Sequence, residues 1–325
     1  MRETILVVGG AGYIGSHMVK ELIDHHYDVL ILDNLSTGHQ RLVTGGRFVQ
    51  GDLSDTTLLN RMFSENRIDA VMHFAAFSLV GESVQLPLKY YRNNVAGTIE
   101  LIEAMIRHDV LRFVFSSTAA VYGEPDKTPI VETHPCRPTN PYGASKLSVE
   151  RLLADCDSAY GLKSICLRYF NAAGADVSGQ IGEMHNPETH LIPLVLKAAL
   201  TKTPIKIFGT DYETPDGTCL RDYVHVTDLA QAHMLALDAL MDGGASEVYN
   251  LGNSVGYSVR QVIDVAGKVT GKKIDLVEEN RRPGDPAILV ADGSKIKERL
   301  KWQPRYEQLE TIIQTAWNWH RNHDA

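Results

Sequence analysis

Short apolar runs recur through the first half of the chain: Thr4–Val8, Val29–Leu32, Arg47–Gln50, Ala70–Phe74, Arg112–Ser116 and Lys163–Arg168. Amphipathic stretches with helical spacing separate them, among them Tyr13 to about His25, Leu58–Asn66 and Thr98–His108. A strand that is apolar without alternation is buried on both faces, and strands of that kind alternating with helices predict a parallel sheet covered on both sides. Right-handed crossovers then give a doubly wound arrangement.

The texture changes after about Asn171. Glycine, proline and polar residues become frequent, as in Gly179–Thr189 and Gly209–Gly217, while strand-like Glu247–Leu251 and helix-like Val259–Thr270 return between them. This predicts a nucleotide-binding domain over residues 1–170 and a smaller C-terminal α/β lobe over 171–325 that carries the substrate site. The boundary is soft, with some later segments expected to rejoin the first domain. There is no internal repeat or low-complexity tract.

Composition narrows the function. With 325 residues, 44% hydrophobic and 22% charged, the chain can bury a substantial core. A formal net charge of −8 argues against nucleic acid or an anionic membrane as the main partner. Cys136, Cys156, Cys166 and Cys219 form no CxxC pair, which predicts buried free thiols in a reducing compartment. No apolar run approaches the roughly 18 residues needed to span a bilayer, and the N-terminus enters a strand without a signal peptide. A cytoplasmic protein is expected. The histidines show no metal-ligand spacing with a carboxylate partner, so a solvated surface is their expected setting and no metal is predicted. Trp302, Trp317 and Trp319 are expected to pack the C-terminal helix.

The first candidate chemistry follows the first strand. Gly9, Gly12 and Gly15 give G-x-x-G-x-x-G, which allows a tight turn, a close approach of backbone to a pyrophosphate, and a helix N-terminus aimed at the phosphates. Asp33 ends the second strand, where a carboxylate can accept from ribose hydroxyls and would repel a 2′-phosphate, so NAD is favoured over NADP. Gly51-Asp52-Leu53 ends the third strand, at the adenine edge. Strand, glycine turn, helix, strand and aspartate in this order predict a Rossmann-like dinucleotide site.

Tyr142 and Lys146 stand four apart and share one helix face. A free tyrosine titrates near ~10, too high for a base at neutral pH. A neighbouring ammonium, together with a cationic nicotinamide ring, would stabilise the phenolate. Lowering the pKa by about 3 units needs roughly 4 kcal/mol. The pair follows a strand ending in Ser116-Ser117-Thr118, whose hydroxyls would face the crevice at the carboxyl end of the sheet.

Together these segments resemble the extended short-chain dehydrogenase/reductase family, and within it the nucleotide-sugar epimerase branch. The resemblance is carried by GGAGYIGSH from Gly9, LDN at Leu32–Asn34, HFAA at His73–Ala76, VGESV at Val80–Val84, NNVAGT at Asn93–Thr98, FSSTAAVYG at Phe115–Gly123 and PYGASKL at Pro141–Leu147. It continues through LRYFNAAGA at Leu167–Ala175, DGTCLRDYVHV at Asp216–Val226, YNLG at Tyr249–Gly252 and RRPGDPA at Arg281–Ala287. It implies a Tyr142 acid/base on the sugar 4-hydroxyl, a Lys146 that lowers its pKa and holds the nicotinamide ribose, and a Thr118 that hydrogen-bonds the same hydroxyl. Further NAD positions implied are Tyr13, Ile14, Asp33, Asn34, Leu35, Ser36, Thr37, Gly38, Asp52, Leu53, Phe74, Ala75, Ala76, Phe77, Ser78 and Asn93, with Phe170 beside the nicotinamide. Ser78 stands where some relatives have lysine.

For UDP the resemblance implies diphosphate contacts from Asn171, Arg221 and Arg282, a ribose contact from Asp285, a uracil-holding strand at Lys206, Ile207 and Phe208, and a further uridine contact from His190 and Leu191. His190 replaces an asparagine of some members. The implied reaction inverts carbon 4 of a UDP-hexose through a 4-keto sugar, interconverting UDP-galactose and UDP-glucose in galactose metabolism. The implied assembly is a homodimer through the helices containing Tyr91–His108 and Tyr142–Tyr160.

A 4,6-dehydratase would carry Asp-Glu after the threonine, where this chain has Ala119-Ala120. A decarboxylase would need a carboxylate clamp that the region of Leu289 does not offer. An NAD-sensing binding protein would lose the tyrosine or the lysine, and both are present.

Overall fold

The computed structural model describes residues 2–282 and 285–323. The elements run β1 (Thr4–Val8), α1 (Tyr13–Asp24), β2 (Asp28–Asp33), β3 (Arg47–Gln50), α2 (Thr56–Glu65), β4 (Ala70–His73), α3 (Val80–Gln85), α4 (Pro87–Tyr90), α5 (Gly97–Arg107), β5 (Arg112–Thr118), α6 (Pro141–Tyr160), β6 (Lys163–Tyr169) and β7 (Asn171–Ala173). They continue α7 (Leu191–Thr201), β8 (Ile205–Phe208), β9 (Leu220–His225), α8 (Val226–Met241), β10 (Glu247–Leu251), β11 (Gly256–Ser258), α9 (Val259–Thr270), β12 (Leu276–Glu279), β13 (Ile288–Leu289), α10 (Ser294–Arg299) and α11 (Leu309–His323).

The main sheet has seven strands in the order β10-β6-β5-β4-β1-β2-β3, all parallel. The order reverses between β1 and β4, the switch point where such sheets open a crevice at their carboxyl ends. Alternation within β1 serves both faces. Ile5 and Val7 join one core with Met18, Leu22 and Leu237 from α1 and α8. Leu6 and Val8 join the other with Leu59, Leu101 and Leu153 from α2, α5 and α6. The expected strands and helices stand within about two residues of where the hydrophobic pattern puts them.

The second lobe packs α7, α9 and α11 around Ile192, Val195, Ile207, Val262 and Ile312. A small sheet, β11-β9-β13 with β7 beside β9, packs Ala173 and Tyr223 into this core. The division at residue 170 is not clean. After β9 the chain returns to the first domain: α8 covers the main sheet and β10 becomes its edge strand, paired with β6. Among the described residues no helix is long and apolar enough to cross a membrane. All four cysteines are free; Cys156, Cys166 and Cys219 are buried, whereas Cys136 is only half-buried.

The solvated setting expected of the histidines fails for His17, His73, His225, His233 and His320, which are all buried. Burial pushes His73 and His225 down to about 3 and His17 and His233 down to about 4, so these four are neutral at neutral pH. Two of the three tryptophans pack the C-terminal helix as expected, whereas Trp302 joins the main-sheet core against α8. Trp317 and Trp319 are buried on α11, and the Trp302 indole donates to the Asp228 carbonyl.

Candidate active site

The glycine turn is built by steric exclusion. Gly9 has φ of +83°, and a Cβ there would lie 2.4 Å from the Ala75 nitrogen; one on Gly15 would lie 2.1 Å from the Gly9 carbonyl oxygen. A Cβ on Gly12, at the head of α1, would meet only the Gly9 carbonyl oxygen, at 3.4 Å, an ordinary contact. Asp33 stands opposite, 8% exposed, accepting hydrogen bonds from the Ala11 N–H at 2.9 Å and the Leu35 N–H at 2.8 Å. Burial raises its carboxyl and these two donors work against the rise. Asn34 donates to Asp52 at 2.6 Å, joining two predicted cofactor residues. The Asp52 carboxyl is lowered, chiefly by the Ser54 N–H. A glycine cradle at a helix N-terminus with a fixed carboxylate one strand away fits NAD.

Some predicted contacts change character. Tyr13 is buried, and its hydroxyl donates to the Gly174 carbonyl at 2.6 Å, so the side chain ties the glycine turn to the second lobe. The Leu53 side chain lies in the core. Phe74 to Ser78 follow β4 and precede α3, and Asn93 sits in a π-helical turn, Tyr91–Ala96. Such turns often mark functional positions. The buried neighbour Asn94, not singled out in the sequence, fastens this region. Its side chain accepts from the Phe77 N–H and donates to the Phe77 carbonyl, both at 3.0 Å, and donates to Ser145 Oγ at 3.1 Å.

The catalytic candidates meet at the end of β5. Asn140 caps α6 by accepting from the Gly143 N–H at 2.9 Å, with Pro141 next in line, so the helix begins where Tyr142 is needed. Tyr142 is 8% and Lys146 3% exposed, and Thr118 ends β5 beside them. Lys146 Nζ donates to the Ser116 carbonyl at 2.8 Å. Burial pushes Lys146 down to about 7, with Glu150 opposing. Burial also raises Tyr142, with a hydrogen bond to Thr118 opposing. The expectation that Lys146 lowers the tyrosine is therefore not met by the chain alone. Desolvation disfavours both charged forms, and the lowering is left to charge that arrives with bound ligands.

Behind Lys146, one turn along α6, Glu150 accepts from Ser117 Oγ at 2.5 Å and pairs with Arg168 at 2.5 Å. A charged residue four positions after the lysine was the signal for this pair. Phe170 is buried and shares a cluster with Ala119, Tyr122 and Leu147, against which Leu289 packs.

On the second lobe Arg221 donates to the Leu220 and Pro286 carbonyls, each at 2.9 Å, and stands 3.7 Å from Asp285. Arg282 donates to the other Asp285 oxygen at 2.9 Å and lies over the Phe208 ring at 4.8 Å. Asn171 donates to the Asp222 carbonyl at 2.9 Å. Along β8, Lys206 and Phe208 face outward, but Ile207 is 1% exposed and its side chain belongs to the core. Strand alternation dictates this, leaving Ile207 only its backbone for a ligand. His190 immediately precedes α7, which begins at Leu191. Its ring contacts Glu183 at 2.7 Å and Glu188 at 3.1 Å. Burial works against its charge, but these carboxylates outweigh it and push it up to about 10. His185 stands 3.0 Å from Glu183. The reading that no histidine has a carboxylate partner is thus overturned in residues 183–190, because a loop folded back on itself joins groups that no helical or hairpin spacing would.

Fold and site define a dinucleotide-dependent enzyme with a buried Tyr-x-x-x-Lys pair and an arginine-lined second lobe. The chain belongs to the NAD dependent epimerase/dehydratase family, matched over residues 5–252. It is 53% identical over 320 residues to the UDP-glucose 4-epimerase of Halalkalibacterium halodurans, covering 98% of this chain and 96% of that one. A crystal structure of a UDP-glucose 4-epimerase superposes with a TM-score of 0.97 at 52% identity, covering 99% of this chain and 98% of the other. The Bifidobacterium longum enzyme in complex with NAD+ and UDP superposes at 0.94 with 40% identity, covering 99% of each chain.

Proposed function

We propose that this chain interconverts UDP-galactose and UDP-glucose by inverting carbon 4 through a 4-keto sugar, as a UDP-glucose 4-epimerase does. The observation that carries this reading is the buried Thr118–Tyr142–Lys146 group at the mouth of the sheet, in a chain with about half its residues identical to enzymes of that name. NAD, held by the Gly9–Gly15 turn and Asp33, would supply the acceptor and donor of hydride at carbon 4. Tyr142 takes the proton of the 4-hydroxyl and gives it back, and Thr118 orients that hydroxyl. Lys146, fixed on the Ser116 carbonyl, supplies the cation that favours the phenolate as the site fills. Phe170 and Leu289 pack together in the apolar cluster assigned to the wall beside the sugar. Arg221 and Arg282, both tied to Asp285, hold the diphosphate with the planar donor forks suited to it. An anchored UDP with a freely turning keto sugar is what inversion requires.

A homodimer through α5 and α6 forms part of the same reading. Ile99 and Tyr160 are exposed on these helices, and with Ile102, Ile106, Leu152 and Cys156 they line a groove on the surface. Glu103 and Arg107 edge the same groove, and a mixed apolar and charged face of this kind suits a self-complementary contact with a second copy. The decisive experiment is to incubate the purified protein with UDP-galactose, without added NAD, and follow UDP-glucose. Absence of product with and without added NAD would overturn the assignment.

A further inference from the structure

We propose that Glu183, His185, Glu188 and His190 form a binding site for one divalent transition-metal cation of the zinc class. The four side chains bring one candidate ligand atom each to within 4.8 Å of one another. Zinc bonds to imidazole and carboxylate at about 2.0–2.2 Å, so the edge of its tetrahedron is about 3.4 Å. The imidazole–carboxylate separations already present lie around that edge: 2.7 Å from His190 Nδ1 and 3.0 Å from His185 Nδ1 to Glu183 Oε1, 3.1 Å from His190 Nδ1 to Glu188 Oε1, and 3.8 Å from His185 Nδ1 to Glu188 Oε2. Both imidazoles present the same ring nitrogen to the centre.

The donor set also selects the cation. Two imidazoles with two carboxylates suit zinc, whereas magnesium and calcium prefer oxygen alone. Glu183 is 3% exposed. A carboxylate taken this far out of water needs positive charge beside it, and a dication supplies more than an imidazolium.

The placement gives the site a structural consequence. The Glu183 carbonyl accepts from the Trp319 indole at 2.8 Å, the Met184 carbonyl contacts His39 at 2.8 Å, and the His185 ring meets Tyr13 edge-on at 6.2 Å. One loop therefore touches the C-terminal helix, the segment after Asp33 and the glycine turn. A cation bound there fastens the two lobes beside the cofactor cradle without touching the reacting groups.

The test uses the full chain carrying its nucleotide, free of any affinity tag and stripped with a chelator. Zinc is added, unbound metal is removed, and bound metal is measured by mass spectrometry, with cobalt(II) as a visible-spectrum reporter of coordination. About one zinc per chain is expected, with the intense ligand-field bands of four-coordinate cobalt and a higher melting temperature. Each feature should be lost in His185→Ala and in Glu188→Gln, two partly exposed positions where these changes leave the fold and nucleotide content intact. No retained metal, equal retention by both variants, or tight binding of magnesium in place of zinc would overturn the proposal. The assay does not depend on epimerase activity, so it stands or falls apart from the function proposed above.

Discussion

Leu289 on β13 is the register partner of Arg221 on β9. The same leucine packs against the cluster that holds Phe170, Ala119 and Leu147. In the proposed function, this one residue joins the arginine assigned to the diphosphate to the cluster assigned to the wall of the sugar. An acetamido group at carbon 2 would have to displace this packed side chain, and overfilling a packed site costs ~1–3 kcal/mol. We expect kcat/KM for UDP-galactose to exceed that for UDP-N-acetylgalactosamine by about ten- to a hundred-fold. Leu289→Ser should narrow the gap and Leu289→Tyr should widen it. Equal values for both sugars in the unaltered chain would refute the gate.

Tyr142→Phe removes the group that moves the proton while keeping its ring in place. Turnover should fall by 10² or more. Calorimetric titration should find UDP binding nearly unchanged, since the arginines of the second lobe do not depend on that hydroxyl.

Arg221 and Arg282 share Asp285 but differ in setting. The Arg221 side chain is 15% exposed and held by two carbonyls, whereas that of Arg282 is 59% exposed. Arg221→Ala should weaken UDP by about 2–3 kcal/mol, because a preorganised charged donor is lost from a partly buried diphosphate. Arg282→Ala should cost less. Titration of both variants with UDP checks the order, and a larger loss at Arg282 would contradict it.

The purified protein should carry NAD without any being added, because each catalytic cycle regenerates it. Release by denaturation and identification by mass decides this. Recovery of NADP would remove Asp33 as the selecting group.

Stability should fall with acid below neutrality. His17, His73, His225 and His233 have folded pKa values depressed below the ordinary 6.5, to between about 3 and about 4. The unfolded chain therefore binds more protons than the folded one below pH 6.5, and stability drops as pH falls through that window. Asp222, raised by burial to about 7, works in the opposite direction by taking up a proton in the folded state. His190, held up at about 10 by Glu183 and Glu188, works with Asp222, while Lys146, pushed down to about 7 by burial, adds to the fall; at about 1.4 kcal/mol per proton per pH unit the depressed groups prevail and leave a loss of about 3 kcal/mol between pH 7.5 and 5.5. Thermal melts of the nucleotide-loaded protein at these two values test it. An unchanged or higher midpoint at pH 5.5 would show that the buried histidines do not govern acid stability.

The chain order of apolar runs and helical stretches was enough to predict the doubly wound sheet, because strands buried on both faces leave a signal within five or six residues. The glycine turn, Asp33 and the Tyr142–Lys146 spacing were legible for the same reason: each depends on neighbours within one turn or one βα unit. Tertiary structure decided what depends on distant partners. Some segments after residue 170 were expected to rejoin the first domain, but which ones was not legible: α8 covers the main sheet and β10 completes it, since only the sheet's open edge selects its last strand. The direction of the Tyr142 shift followed burial and not the nearby lysine, and desolvation is a property of the surrounding volume. Strand alternation, and not the sequence motif, decided that the Ile207 side chain belongs to the core and leaves only its backbone for a ligand. Asn94, invisible as chemistry in the sequence, became the clasp of the crevice. Glu183, His185, Glu188 and His190 have no regular spacing, and only the path of their loop brings four donors to one point.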